Sequence, residues 1–386
     1  AGVEVEQQHA ASGPGDGDTR GRGAGLMGVE DAICVPSGRA GLSYILQGLE
    51  IEPGAEIVVP AYTYPIVPFV IKALGYDVRF ADIDLPTLGM NPRKFSQAIT
   101  KKTRAVIATH LFGVPCDMDG IAAIAEKAGV HVIEDCAHCL GATVGGRKVG
   151  TFGRVSYFSF ETSKCVNTLG GGMLITSDVL LAKRMRSLSG QGQKAKVSKI
   201  FKRLAKTSFE ALVTYPPFFT LFVYPALRAA ALIKGGKDVM GEGYVGSDIT
   251  MDGRTDSYAN FQAYLGLKGL DAAPEAGAGR VRNAALLAAL LDGKVVHQTP
   301  VSSNDAPNWL LFSVLVEDME RVSARLLKRG VDVKRFYMRD CAALYGGGAP
   351  NPCAAKAERQ VLHLPAFADL SEADIKRIAC GLLESL

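Results

Sequence analysis

Short apolar runs alternate with amphipathic segments from Ala32 to Asp178. The apolar runs have the length of strands, and the segments between them have the spacing of helices. Such repetition predicts an α/β fold with a mostly parallel sheet, helices on both faces and ligand sites at the carboxyl ends of the strands. We predict strands at 56–60, 78–80, 105–109, 131–134 and from 155 onward, and helices at 42–49, after Pro65, at 92–99 and at 118–128.

A second, shorter alternation follows near the C-terminus. Helices are predicted at 256–269, 281–291, 320–329 and 372–383, with a strand at 310–316 and an Ala/Gly-rich stretch at 272–279. We therefore predict a large domain at 32–268 and a smaller α/β domain at 269–386 that closes over the site. Residues 1–31 are polar, rich in Gly and without the apolar core of a signal peptide, which predicts a flexible N-terminal arm. His363, within VLHLPAF, is expected to pack in a core.

Composition narrows the function classes. The chain has 386 residues, 48% of them hydrophobic, and a formal net charge of +4, which gives no reason to expect nucleic-acid binding. The eight cysteines are scattered, and Cys136 with Cys139 is the single close pair. No second pair stands at the spacing of zinc ligands, so we expect no metal site. Reduced thiols in a cytoplasmic enzyme are the expectation.

One stretch, VSYFSFETSKCVNTLGGG at 155–172, holds a candidate for covalent chemistry. Lys164 stands five residues after Ser159 and precedes three glycines at 170–172. Burying a lysine is costly unless its amine pairs with another group or condenses with a carbonyl. The glycines permit a close approach to the backbone. The alternative is a surface lysine in a strand–helix loop.

Asp135 follows the apolar run of a predicted strand, where a carboxylate without a partner would be expensive to bury. If the Asp135 carboxylate faced the protonated ring nitrogen of a bound heterocycle, that charge would stabilise the carboxylate. The carboxylate would in turn keep the ring protonated, so that the ring could act as an electron sink. A helix cap or a structural ion pair is the alternative. His138 is by default an interior histidine, and only its place beside Asp135 gives it functional weight. Upstream, SGRAGL at 37–42 opens a helix whose N-terminus could hold a phosphate, a weak signal alone.

Together these motifs resemble one family. SGRAGL, PAYTYP, the segment from TKKTRAVIATHLFGV to IEDCAHCLGA, GRKVGTFGRVSYFSFETSK and LGGGMLITSD occur in this order. They resemble the pyridoxal-phosphate-dependent sugar aminotransferases of the DegT/DnrJ/EryC1/StrS group, of fold type I in the aspartate aminotransferase superfamily. The resemblance is dense from Ala32 to Asp178 and weaker at TDSYANFQAYLGLKGLD and AKAERQVLHLPAFADLSEADIKRI.

The resemblance implies roles for individual residues. Lys164 would carry the cofactor as an imine and then move a proton; Asp135 would pair with the pyridinium nitrogen, and His138 would lie near the ring or its hydroxyl. Tyr64 would stack on the ring. The residues expected at the phosphate are Gly38, Arg39, Ala40 and Ser159, with Arg39 standing where the family usually has Thr. The family's Asn that reaches the partner's cofactor has no clear counterpart, and Arg254 or Asn260 could take its place.

The function implied is amino-group transfer from an amino acid, by expectation glutamate, to a keto sugar, most commonly nucleotide-linked, in glycan or surface polysaccharide biosynthesis. A homodimer is expected. Sugar dehydration is disfavoured because family members that dehydrate replace the lysine. A non-catalytic cofactor-binding regulator of the same fold is the alternative from another class.

The region at 194–246 departs most from the family pattern. Six basic residues are followed by an aromatic and aliphatic run at 209–233, which contains three prolines and the charged Glu210 and Arg228, so it makes a poor membrane-spanning helix. The basic residues are Lys194, Lys196, Lys199, Lys202, Arg203 and Lys206. The pattern favours peripheral attachment of 194–235 to the inner face of a membrane, where a lipid-linked or lipid-like keto substrate would be in reach. Packing on a partner subunit or over the active site is the alternative.

Overall fold

The computed structural model describes residues 14–29, 31–192, 197–226, 229, 257–346 and 350–386. The strands of this part of the chain are β1 (Asp31–Val35), β2 (Glu56–Pro60), β3 (Tyr62–Thr63), β4 (Asp77–Ala81), β5 (Thr103–Thr109), β6 (His131–Asp135), β7 (Thr143–Val144), β8 (Arg147–Lys148), β9 (Val155–Ser159), β10 (Gly172–Thr176), β11 (Phe312–Leu315), β12 (Arg339–Asp340) and β13 (Val361–Leu364).

Fourteen helices are present in the described part of the chain. They are α1 (Pro14–Met27), α2 (Gly38–Gly48), α3 (Ile66–Ala73), α4 (Pro92–Ala98), α5 (Met118–Ala128), α6 (Val179–Gly190), α7 (Val197–Thr214), α8 (Pro216–Phe218), α9 (Phe219–Val223, a π-helix), α10 (Asn260–Leu291), α11 (Met319–Lys328), α12 (Cys341–Leu344), α13 (Pro352–Gln360) and α14 (Glu372–Leu383).

A seven-stranded sheet in the order β1-β10-β9-β6-β5-β2-β4 forms the centre of the molecule. The pairs β2–β4, β2–β5, β5–β6 and β6–β9 are parallel, and β10 runs antiparallel to both of its neighbours. Ile57 and Val59 face a core with α2, α3 and α6, whereas Val58 faces a core with α4 and α5. The strands are apolar throughout because both faces are buried. The predicted α/β fold with a mainly parallel sheet is confirmed.

Strand register brings several chain segments to one edge of this sheet. Asp135 is opposite Thr109 of β5 and Tyr157 of β9, and Ser159 is opposite Gly172, which in turn is opposite Val35 of β1. Since β1 and β9 both run antiparallel to β10, they are parallel to each other. The carboxyl ends of β1, β5, β6 and β9 therefore lie at the same edge, where parallel sheets bind ligands.

Helix α10 joins two hydrophobic cores. Leu270 packs with residues of the central sheet, whereas Leu287 and Leu291 pack with β11, β13, α11 and α14 in a second core. The prediction of separate helices at 256–269 and 281–291 is wrong, because one helix runs through the Ala/Gly-rich stretch and contains Pro274. The predicted domain boundary at 268/269 falls inside this helix, and the division into domains stays a prediction.

The predicted flexible arm contains a helix. Residues 14–27 form α1, and its Met27 is buried in the core that also holds Met173. Arg22 pairs with Asp271 of α10 at 2.5 Å. The arm prediction is therefore wrong for residues 14–27, while residues 1–13 lie outside the described chain.

The insertion begins as helix. Helices α7, α8 and α9 follow one another over Val197–Val223, and most of 227–256 lies outside the described residues. None of the helices in the described segments has both the length and the apolar composition needed to cross a bilayer.

Candidate active site

Lys164 lies in the loop after β9 and is partly buried. Its Nζ donates to the Tyr337 hydroxyl over 2.8 Å and stands 5.2 Å from the centre of the Tyr337 ring. The backbone N–H of Lys164 donates to the Glu161 carbonyl over 2.9 Å, which fixes the start of the side chain. The amine is thus held by an aromatic hydroxyl inside the protein, in contrast to a free surface lysine.

Asp135 is buried at the end of β6. Burial raises the pKa of its carboxyl, although the Tyr157 hydroxyl, the Ala137 N–H and the Lys164 charge all favour the ionised form. The Ala137 N–H donates to Oδ1 over 3.1 Å. Across the described part of the chain, no Lys or Arg lies within ion-pair distance of this carboxyl. A buried carboxyl that accepts a backbone hydrogen bond and has no Lys or Arg paired with it is suited to a cationic ligand group.

His138 is buried near Lys164 and is neutral. Burial lowers its pKa well below the ordinary value, and the charges of Lys164 and Lys334 lower it further. The Phe112 N–H donates to Nδ1 over 3.1 Å, so the ring proton resides on Nε2. Phe112 has a φ of +61°, an uncommon value for a residue other than glycine. His138 can therefore donate one hydrogen bond from Nε2.

Tyr337, which sequence reasoning missed, joins these residues. Its ring stacks on His138 with centroids 5.3 Å apart, and its edge faces Tyr64 at 6.3 Å. The Lys334 Nζ lies 3.6 Å from the Tyr337 ring centre, a cation–π contact. The sequence signal that could have found Tyr337 is the run KRFY at 334–337, where two basic residues precede two aromatic ones. The structure thus brings Lys164, His138 and Tyr64 together around a tyrosine from the C-terminal part.

Gly38, Ser159 and Gly172 form a narrow cradle where β1, β9 and β10 meet. A Cβ on Gly38 would stand 3.3 Å from the Ser159 Cβ, and one on Gly172 would stand 2.4 Å from the Phe158 carbonyl oxygen. Helix α2 begins here, capped by the Ser37 hydroxyl, which accepts from the Ala40 N–H over 3.1 Å. The N-terminal end of α2 thus lies at this cradle, with Gly38 next to Ser159, and a helix N-terminus favours an anion.

The loop at 169–172 requires its glycines. Leu169, Gly170 and Gly171 all have positive φ, and a Cβ on Gly171 would lie 2.5 Å from the Tyr258 ring. Gln262 at the start of α10 donates from Nε2 to the Gly170 carbonyl over 2.8 Å. Tyr258 and Gln262 therefore support this loop from within the same chain. Asn260 is exposed, and Arg254 lies outside the described residues, so a contact of either with a partner subunit stays a prediction.

Glu134 belongs to a separate structural network behind the site. Its carboxylate accepts from the backbone N–H groups of Gly150, Phe152 and Gly153 over 2.6–2.8 Å, and it lies 3.3 Å from His110 Nε2. His110, Glu134 and Cys136 place their donor atoms within 4.8 Å of one another. Because the carboxylate oxygens are already engaged by the turn at 150–153, this cluster holds that turn against β6.

Comparison with known proteins identifies the family. The model of the DegT/DnrJ/EryC1/StrS aminotransferase family matches residues 21–383. The curated relatives include a UDP-N-acetyl-3-dehydro-alpha-D-glucosamine 3-aminotransferase from Acidithiobacillus ferrooxidans, 41% identical over 170 residues, or 44% of this chain and 46% of that protein. They also include a GDP-perosamine synthase from Escherichia coli O157:H7, 40% identical over 164 residues, or 42% of this chain and 45% of that protein.

Solved structures extend the likeness to the whole chain. The crystal structure of S. venezuelae DesV in complex with a ketimine intermediate superposes with a TM-score of 0.75 at 25% identity, covering 98% of this chain and 94% of that one. The matched segments span less than half the length of the two curated relatives. The fold is that of a fold type I aminotransferase. The chain belongs to the DegT/DnrJ/EryC1/StrS aminotransferase family.

Proposed function

We propose that this protein is a pyridoxal-phosphate-dependent aminotransferase that moves an amino group from an amino acid, by expectation glutamate, to a nucleotide-linked keto sugar. The observation that carries this proposal is the Lys164 amine and the buried Asp135 carboxyl at one sheet edge, beside a neutral His138. The relatives named above act on UDP- and GDP-linked sugars by their names, which supports the substrate class.

The residues fit the cofactor in three ways. Asp135 is a buried carboxyl suited to hold a proton on a ring nitrogen, because a neighbouring positive charge would offset its cost of burial. His138 offers an Nε2–H donor to the ring hydroxyl, and Tyr64 offers an aromatic surface. Ser159 and the first turn of α2, with Gly38 and Arg39, would bind the phosphate.

Bound pyridoxal phosphate would supply a carbonyl carbon for amines and an electron sink. Lys164 would bind that carbon through its amine and, once released, would carry a proton at the substrate carbon. Tyr337 would hold the lysine amine in place through the 2.8 Å hydrogen bond. Asp135 would keep its charge buried and oriented through the Ala137 N–H. Each task requires a group that the site already contains.

A titration with pyridoxal 5'-phosphate tests the proposal. After unbound cofactor is removed by gel filtration, we expect wild type to retain an absorbance band at the edge of the visible range, which glutamate removes, and Lys164→Ala to retain none. Lys294→Ala, an exposed lysine near the end of α10, serves as the matched control and should behave as wild type. Turnover by Lys164→Ala would contradict the assignment, and a bound cofactor inert to every amine would favour a non-catalytic regulator.

Substrate identity is tested by presenting UDP-, GDP- and dTDP-linked keto sugars with glutamate and measuring 2-oxoglutarate. We expect turnover with at least one nucleotide-linked sugar and none with the free sugars.

We also propose that the protein is a homodimer, which sedimentation velocity can check. We further propose a reducing, cytoplasmic setting, which is supported by the eight cysteines, all of them free.

A further inference from the structure

Helix α7 exposes its apolar side chains and reaches the rest of the protein through Arg203. At about 100° per residue, Phe201, Leu204 and Leu212 fall on one side of the helix and Arg203 on the opposite side. The Arg203 guanidinium donates to the Leu169 carbonyl over 2.9 Å, so the side opposite the apolar residues contacts the loop at 169–172 through this arginine. A surface helix of a globular protein normally has the reverse arrangement. The apolar stripe is therefore exposed in the part of the chain that the structure describes.

The exposed apolar surface continues beyond the helix. Between Phe201 and Phe222, eight large apolar side chains are 38–68% exposed, out of nineteen such side chains in the described part of the chain. The rings of Phe218 and Phe222 lie 5.2 Å apart, so the aromatic surface is contiguous at its far end. Such a concentration of exposed apolar side chains marks an interaction surface. We call residues 201–222 the insertion surface.

Positive charge accompanies the insertion surface. The segment 194–206 has six Lys or Arg residues and no Asp or Glu. Lys202 and Lys206 are exposed beside the apolar stripe, and the one acidic residue of α7, Glu210, lies 3.7 Å from Lys206. An amphipathic helix with basic residues next to aromatic and aliphatic ones is typical of segments that lie in the plane of a bilayer interface.

We propose that the insertion surface docks on an anionic lipid bilayer, with Phe201 and Leu212 in the interfacial layer and Lys202 and Lys206 at the headgroups. Charge favours lipid over a second copy of the chain. A symmetric pair of copies would bring two basic runs into one interface, because an isologous interface contains the same patch from both copies. Anionic headgroups instead complement the charge. The docking needs no catalysis and is independent of the proposed function.

Co-sedimentation with vesicles tests the proposal. We expect the full chain to bind vesicles of equimolar phosphatidylcholine and phosphatidylglycerol, and to bind phosphatidylcholine vesicles much more weakly. Lys202→Gln with Lys206→Gln should weaken binding to the mixed vesicles by roughly 30-fold. Phe201→Gln with Leu212→Gln should weaken it by roughly 100-fold, because apolar burial is lost.

The matched control is Val179→Gln with Leu180→Gln, which removes two exposed apolar side chains from α6 and should leave binding unchanged. Circular dichroism of every variant shows that the fold is retained. Wild type remaining in the supernatant, or the Phe201/Leu212 variant binding as wild type does, would overturn the proposal. A shift from dimer to monomer in that variant, without vesicle binding by wild type, would assign the surface to a second copy.

Discussion

Tyr337 is the residue on which the candidate site converges. Burial raises the pKa of its hydroxyl, but the charges of Lys164 and Lys334 and the hydrogen bonds from Lys164 and Ser163 outweigh this, so the net shift of the pKa is downward. A phenol between two lysines both accepts from the catalytic candidate and stacks on His138. Tyr337 is 173 residues away from Lys164 along the chain, which explains why local sequence patterns do not connect the two.

We predict that Tyr337→Phe lowers turnover about tenfold, because Lys164 loses the acceptor that orients its amine, and lowers the free energy of unfolding by about 1 kcal/mol. Tyr345→Phe is the matched control, since its hydroxyl donates to the Pro65 carbonyl over 2.9 Å away from the lysine. Urea unfolding and steady-state kinetics measure the two effects. Equal activity of the two variants would show that Tyr337 does not position the amine.

At the scale of elements, helices with strong end signals were predicted to within a residue or two. Helix α5 begins after Asp117, whose side chain accepts from the Gly120 N–H, and ends at the left-handed Gly129. Ser371 and Asp374 form a capping box at the start of α14. Helix α10 was not predicted as one helix, because its Gly residues and Pro274 disfavour a helix locally. Packing against two hydrophobic cores stabilises the continuous helix.

The contact between β10 and α2 gives a prediction about Gly172. We expect Gly172→Ala to lower the free energy of unfolding by about 2 kcal/mol or more, because the new Cβ would meet the Phe158 carbonyl oxygen at 2.4 Å and the Gly38 nitrogen at 3.1 Å. Gly190→Ala, at the end of α6 with open space around it, should change it by less than about 1 kcal/mol. Chemical denaturation compares them, and equal stabilities would contradict the tight contact.

Pro274 gives the second prediction about an element. Lacking an N–H, Pro274 cannot donate to the Leu270 carbonyl, and it is exposed inside α10. We predict that Pro274→Ala raises the free energy of unfolding by about 1–3 kcal/mol, by restoring the bond and the helix propensity. Thermal unfolding followed by circular dichroism measures it. A less stable variant would mean that the proline fits a bend that the helix requires.

At the scale of the whole molecule, sequence patterns were sufficient for the sheet and the edge that holds Lys164, Asp135, His138 and Ser159. Strand periodicity and parallel topology place the ends of β6 and β9 together without any knowledge of distant contacts. The C-terminal contributions were missed, since the positions of Tyr337 and Lys334 depend on how the second core packs against the first. His363 was expected in a core and is buried against Phe112 at 4.3 Å, which confirms that prediction.

Buried neutral histidines make the whole fold sensitive to acid. Burial lowers the pKa of His363 to about 3, so the folded state stays neutral while the unfolded state takes up a proton below about pH 6.5. The unfolded state then binds more protons, and stability falls with falling pH. From pH 7.5 to 5.5 we expect wild type to lose about 1.4 kcal/mol more than His363→Gln does. Urea unfolding at both pH values decides it, and parallel losses would contradict the buried neutral ring.

The two carboxylates at 134 and 135 illustrate how a strand separates its tasks. Side chains of consecutive strand residues point to opposite faces, so Glu134 grips the turn at 150–153 while Asp135 borders the site. Substitutions at these two adjacent positions should therefore affect different properties, stability at 134 and activity at 135. A library screened for cellular abundance should reject changes at 134, whereas a library screened for the proposed amino-group transfer should reject changes at 135 even among variants that accumulate normally.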